Sequence, residues 1–556
     1  MEIYPPRNAE PVETGIHSLP DELLCLISSI NGDMFSNNDA LTDTRYTSQV
    51  CHRWRQILLE RPFIWGRLID LNALCKVTAK EEWGNEVLRR SQGAFLWIRG
   101  SVMNKNRSRV FFEHLIYKHW PQIQKLVVYV PPFYLGYLNW QIILQPAPGL
   151  ETFQIQFYNP DSYGGLDFRR IWRATSEEKR LFSRFPQDAR PALFSNNAPS
   201  LRKFLATQIY FSVSAPWLSN LRSVSFSSPI TLHKTFQAIQ QMPLLECLNV
   251  EKLQYTHDKL ILPHLSFTRL TDIVLADRLD VCFQVLNHIT PAAGCSLSLS
   301  ARARLSESLT TQILIDANEA LLKYLKIFHR SHPTTQIALL CRPSYFKFTD
   351  TSPRRSKDGP FFKVSFLFGP ETLSSPTFPN SELTVFNTLI SIFTIGSASF
   401  PFVRTLDLHL VVPTLYTSFL STSQFFGVEV LSTDEPALTT ILQLKGQEHD
   451  PPSEAFPFPA LKTLRLREIQ EPNSIDAAHV SPFIHFLNTC RNHGSPISVL
   501  EVYPRVTSPR LGYLRPFGRI LDQDMVSMTL KVLSLGGEGR EVVCGGGNIQ
   551  RLLLEY

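Results

Sequence analysis

Between residues 119 and 535 one short spacing keeps returning: apolar residues at the first, fourth and sixth positions of a segment often entered through a proline or an aromatic. It reads Ile123/Leu126/Val128, Leu150/Phe153/Ile155, Leu201/Phe204/Ala206, Leu221/Val224/Phe226, Leu245/Leu248/Val250 and Leu270/Ile273/Leu275. It goes on as Phe361/Val364/Phe366, Val403/Leu406/Leu408, Leu461/Leu464/Leu466, Ile497/Leu500/Val502 and Leu530/Leu533/Leu535. Two residues separated by one point to the same side of a strand, so positions four and six enter a core while the first anchors the turn before it. A strand this short cannot bury its apolar side alone. Copies must stack, and the spacing predicts an α/β fold with a parallel sheet of short strands.

Composition agrees with repeated, stiff punctuation: 39 prolines stand against 25 glycines. Hydrophobic residues make up 44% and charged ones 19%, enough for a large core and against a mainly disordered chain. Lys plus Arg (55) less Asp plus Glu (49) gives +6 over 556 residues, too weak a field to argue for a nucleic-acid or membrane partner. The nine cysteines are scattered singly, with no CxxC pair, which reads as reduced thiols in a cytoplasmic or nuclear protein. The start, MEIYPPRNAEPVETG, is polar and acidic where a secretory signal would be basic and apolar. The most apolar window, Leu383 to Phe402, is broken by Thr384, Asn387, Thr388, Ser391 and Thr394. A membrane span needs about 20 predominantly apolar residues, so it reads as strand and turn.

Before the repeats lies a helical stretch. Ser18 and Asp21 have capping-box spacing, Pro20 suits a first turn, and Asp21 and Glu22 complement the positive end of a helix. Leu23, Leu24, Leu26, Ile27 and Ile30 then form an apolar stripe, which Asn31-Gly32 stops. A second helical pattern runs Tyr46, Val50, Trp54, Ile57 and Leu58, up to Pro62. Periodicity alone does not say whether such stripes form the core of a small domain or a docking face.

Leu19-Pro20-Asp21-Glu22-Leu23-Leu24 with Ile27, then Val50-Cys51-His52-Arg53-Trp54-Arg55, resembles the F-box, LPxELLxxI followed by VCxxWR. Arg61-Pro62-Phe63-Ile64-Trp65 is similar to the proline–tryptophan tail of many fungal F-box-like proteins, and the likeness covers residues 16–71. It implies a helical trap that docks on the Skp-type adaptor of cullin–RING ubiquitin ligases. Leu19 and Pro20 would lie at the contact, Leu23, Leu24 and Ile27 along the first helix, and Val50, Cys51 and Trp54 on the last, partly as core. The chain departs from the family in an extra polar loop, Asn31–Ala40, and in a polar middle helix, Leu41–Gln49.

The repeats resemble the degenerate leucine-rich-repeat region that often follows this module in fungal proteins. From 201 to 221, 245 and 270 the steps are 20, 24 and 25, within the roughly 20–29 residues of such repeats. The expected organisation is a disordered tail (1–14), an F-box-like helical domain (15–71), a helical connector (72–118) and a leucine-rich-repeat-like solenoid (119–556). Long polar loops are expected at Asn159–Asn197, Asp350–Pro360, Gly369–Ser381 and Gly446–Pro459.

No GxxxxGK[ST], GxSxG or HExxH pattern is present. With the resemblance, this implies a non-catalytic chain that needs no cofactor and no metal. It would be the substrate-recognition subunit of an SCF-type E3 ubiquitin ligase, holding the adaptor at one end and an unknown protein target on its repeats. A repeat-based interaction scaffold with no ligase role is the alternative. Target contacts are expected at strand positions between the inward residues: Arg222, Ser223, Ser225, Glu246, Asn249, Thr271 and Asp272.

Overall fold

The computed structural model describes residues 19–75, 81–102, 106–130, 140–157, 192–206, 209, 211–227, 230–254, 261–303, 311–342, 345–354, 359–368, 387–390, 402–410, 415, 425–446, 458–467, 481–503, 520–523, 525–533 and 539–555. The tail 1–14, Ser18, the loop Gly369–Ser381, and most of the loops 159–197 and 446–459 and of the window 383–402 lie outside them. The chain is a mixed α/β protein in two compact units, Met1–Leu245 with Leu253–Leu260, and Glu246–Lys252 with Ile261–Tyr556.

The first unit opens with helices α1 (Asp21–Asn31), α2 (Ala40–Thr47), α3 (His52–Leu59) and α4 (Pro62–Gly66). Then follow β1 (Ile69–Asp70), α5 (Leu71–Leu74), α6 (Glu81–Ser91), β2 (Leu96–Ser101), α7 (Asn106–His119), β3 (Ile123–Val130), β4 (Thr152–Phe157), β5 (Lys203–Ala206), β6 (Ser223–Ser227) and α8 (Leu232–Ile239). Strands β1 to β6 pair in chain order, every pair parallel. The register puts Leu126, Phe153, Phe204 and Val224 in one row, and all four are buried. Within this row Phe153 stacks on Phe204 at 5.6 Å, and Phe211 and Trp217 complete an aromatic core against Phe204. The ladder starts at Ile69, not at residue 119, because the stretch expected to be a helical connector also contributes β2. At Gly100 (φ +122°) a Cβ would sit 3.1 Å from Asn72 N and from the Leu71 side chain, so glycine is what lets α5 lie against β2.

In the second unit the order is β7 (Cys247–Glu251), β8 (Leu265–Ser266), β9 (Asp272–Ala276), α9 (Leu279–His288), β10 (Ile289–Thr290), β11 (Ser296–Ala303), α10 (Thr311–His329), β12 (Gln336–Arg342), β13 (Tyr345–Asp350) and β14 (Phe362–Phe368). It continues β15 (Thr405–Leu410), β16 (Val430–Thr433), α11 (Glu435–Gly446), β17 (Thr463–Leu466), α12 (Pro482–Asn492), β18 (Val499–Val502), β19 (Thr529–Leu533), β20 (Gly539–Val543) and α13 (Asn548–Glu555). The strands pair in the order β7, β9, β11, β14, β13, β12, β15, β16, β17, β18, β19, β20. Among the described residues only β13 and β20 run antiparallel to their neighbours, so this open sheet is mostly, not wholly, parallel. β13 follows β12 too closely for a crossover and returns as a hairpin, whereas parallel neighbours need longer connections.

The triplet spacing marks these strands well. Leu248, Val250, Ile273, Leu275, Leu406, Leu408, Leu464, Leu466, Leu500 and Val502 are all buried. The last triplet is out of register: Leu530 and Val532 point inward while Leu533 is half-buried. Four apolar residues in six there satisfy two spacings, and only the ladder with β18 selects one. No disulfide joins any of the nine cysteines. Among the described residues no helix is long and apolar enough to cross a membrane.

Candidate functional site

Apolar side chains that the fold leaves uncovered are concentrated at the start of the described chain. Of its twenty exposed large hydrophobic residues, nine fall between Leu23 and Phe63. Four of them, Leu23, Leu26, Ile27 and Ile30, follow one another at helical spacing along α1, with exposures of 44–63%. Tyr46 and Val50 add exposed surface on α2 and on the turn that leads to α3.

The start of this helix is held in place by α3. Pro20 occupies the N-cap position with extended backbone, and its carbonyl accepts from the Leu23 and Leu24 N–H groups at 3.1 Å. Asp21 and Glu22 complement the positive end of the helix. The Asp21 carboxylate accepts from Arg53 Nε at 2.9 Å, and Arg53 Nη2 also donates to the Leu19 carbonyl at 2.6 Å. One guanidinium thus ties the LPDELL segment to the VCHRWR segment. Behind the stripe, Leu24 is 4% exposed and belongs to the core, which corrects the expectation that it meets a partner. At about 100° per residue Leu24 falls outside the arc that Leu23, Leu26, Ile27 and Ile30 span, on the side of the helix that also buries Ser28. Leu19, Cys51 and Trp54 are half-buried, while Pro20, Ile27 and Val50 are exposed. Trp65 is fully buried: its indole N–H donates to the Leu58 carbonyl at 2.8 Å, and Arg90 of α6 lies 4.4 Å above its ring.

The helices are also fastened to the first strands. Arg99 of β2 pairs with Asp70 at 2.9 Å and donates to the Asn38 carbonyl at 3.1 Å. Phe35, from the polar loop after α1, sits 5.7 Å from Trp97, whose ring carries Lys125 at 3.5 Å and Arg67 at 4.6 Å. Burial there pushes the Lys125 ammonium below its usual range. The extra loop therefore serves as an anchor, a role that polar composition did not reveal.

No protein-family model and no curated protein matches this chain.

The strand positions expected to meet a target divide. Arg222 and Thr271 are exposed, and Glu246, Asn249 and Asp272 are half-buried. Ser223 and Ser225 are buried, because all five residues of β6 are covered on both faces; both were expected at the surface and neither is available. The Asp272 carboxylate accepts from the Thr271 hydroxyl at 2.9 Å, and Asn249 donates to Glu251 at 3.0 Å.

A larger feature on the non-core positions of the second unit escaped the sequence reading. The register aligns Asp407, Ser432, Arg465, Glu501, Lys531 and Glu541 in one row across β15 to β20. Arg465 pairs with Glu501 at 2.6 Å, Lys531 with Glu541 at 2.9 Å, and Arg467 with Asp407. Burial raises the Asp407 carboxyl in spite of Arg467. Asp407, Arg465 and Glu501 each stand between positions four and six of their strand, the signal by which that part of the row could have been found. The buried thiols show no activation: burial pushes Cys295 and Cys341 up to about 12 and Cys544 to about 11.

Proposed function

We propose that this chain is the substrate-recognition subunit of an SCF-type, cullin–RING E3 ubiquitin ligase, with an F-box-like module for the Skp-type adaptor and a leucine-rich-repeat-like solenoid for the target. The observation that carries the reading is the exposed stripe Leu23, Leu26, Ile27 and Ile30 on the helix that opens with LPDELL. Apolar area left in water forgoes roughly 25 cal/mol per Å², and a contiguous apolar stripe is the signature of a surface completed by a partner. The role is scaffolding, not chemistry. The F-box-like helices hold the ligase, the repeats hold the target, and ubiquitin transfer between them becomes effectively intramolecular. The exposed positions Arg222 and Thr271, the half-buried Glu246, Asn249 and Asp272, and the mixed-charge row on β15 to β20 suit a protein surface better than a polyanion.

A second reading, a repeat-based interaction scaffold without a ligase, is favoured by one observation: α2, ALTDTRYT, is polar where the F-box family has leucines. Co-expression with a Skp-type adaptor separates the two. The ligase reading expects an equimolar complex that survives gel filtration. A chain that elutes alone while folded leaves the scaffold.

A further inference from the structure

The turn after β13 carries a sequence that adaptor docking does not use, Asp350-Thr351-Ser352-Pro353-Arg354-Arg355-Ser356. Ser352 Oγ accepts from the backbone N–H groups of Thr335 at 2.9 Å and Gln336 at 3.1 Å, where β12 begins. Beside it Thr351 N donates to the Gln336 carbonyl at 3.0 Å. Ser352 N donates in turn to Asp350 Oδ1 at 2.9 Å. Asp350 is buried; it also accepts from the Thr334 hydroxyl at 3.3 Å and faces Arg354 at 3.5 Å. One hydroxyl thus latches the connection between β13 and β14 onto the start of β12. It is half-buried, with exposed Thr351 and Pro353 on either side.

We propose that Ser352 is a phosphorylation site for a proline-directed protein kinase, and that the phosphoryl group opens this latch. Proline directly after the serine and arginine three residues after it are the features that basic-preferring kinases of this class read. In the transfer, Ser352 Oγ bonds to the γ-phosphorus of the kinase-bound nucleoside triphosphate as the bond from that phosphorus to the β–γ bridging oxygen breaks. Nucleoside diphosphate leaves, and the hydroxyl proton passes to the kinase's base. The product carries about −1.5 to −2 charges at pH 7 beside a carboxylate that has little contact with water. The ester oxygen is a poorer acceptor for Thr335 and Gln336 than the hydroxyl it replaces. Arg354, now beside a stronger anion, is drawn from Asp350 to the phosphate. All three changes act on the same contact and loosen it.

The test uses the intact chain, a purified proline-directed kinase and ATP, read by phosphopeptide mass spectrometry and amide hydrogen exchange. Phosphate is expected on Ser352, absent in Ser352→Ala, unchanged in Ser356→Ala, and cut by about tenfold or more in Pro353→Ala, which leaves the hydroxyl in place. In the phosphorylated protein the Thr335 and Gln336 amides are expected to exchange about tenfold faster. Phosphate only on other residues, or full incorporation in Pro353→Ala, overturns the assignment of the site. A phosphorylated Ser352 with unchanged exchange at 335–336 overturns the latch.

Discussion

Leu23 and Leu24 are adjacent in sequence and opposite in fate, and the difference is measurable. Leu24→Ala removes a buried side chain and should cost about 2–5 kcal/mol in urea unfolding. Leu23→Ala, at an exposed position, should stay within about 0.5 kcal/mol. His329 offers a second residue-level test. Burial holds its imidazole down to about 4, against the pull of Asp350 and of a hydrogen bond with the His332 backbone. The unfolded chain, with an ordinary histidine near 6.5, binds a proton between those values that the folded chain does not. Stability should therefore fall as pH drops from about 6.5 to about 4, by on the order of 3 kcal/mol in total. His329→Gln should flatten that part of the pH–stability curve. An unchanged slope would place the titration elsewhere.

The strands most legible in the sequence were those whose fourth and sixth positions are both strongly apolar, such as Leu464 and Leu466 on β17. There the spacing and the burial requirement state the same fact twice. β16 escaped notice because its sixth position is Thr433, a buried hydroxyl that the ladder accommodates by donating to the Leu408 carbonyl at 2.8 Å. β6 was found, but not that its outer serines are covered, since alternation reveals only one face of a strand. The candidate docking helix was legible as an amphipathic stripe. Which of its leucines stay in water depends on where α2 and α3 pack, and no local pattern encodes that. The C-terminal helix α13 shows a similar dependence. Burial of Asp522 opposes its charge, but N–H bonds from Gly545, Ile549, Gly547 and Asn548 outweigh this and hold the carboxyl below its usual range. Gly545 and Ile549 donate at 2.9 and 3.0 Å. Asp522→Ala should thus fray α13, with a loss of about 1.5–3 kcal/mol and faster exchange of the Gly545 and Ile549 amides. Unchanged exchange there would show that the helix is held by packing alone.

At the scale of the whole molecule, the proposal needs a docking module whose orientation is fixed. The contacts of Arg99 with Asp70 and Asn38, and of Phe35 and Lys125 with Trp97, fasten α1 to α4 to the first strands of the same unit. A module held this way presents its stripe in one direction, so little conformational freedom is lost when a partner covers it. The most direct measurement is the affinity of the purified chain for a Skp-type adaptor, compared with a Leu23→Glu/Ile27→Glu variant at equal thermal stability. The account predicts saturable one-to-one binding by the wild type and a loss of about 100-fold or more in the variant, the scale of two interface anchors. Equal affinity for the two proteins, or no binding by either, would contradict it.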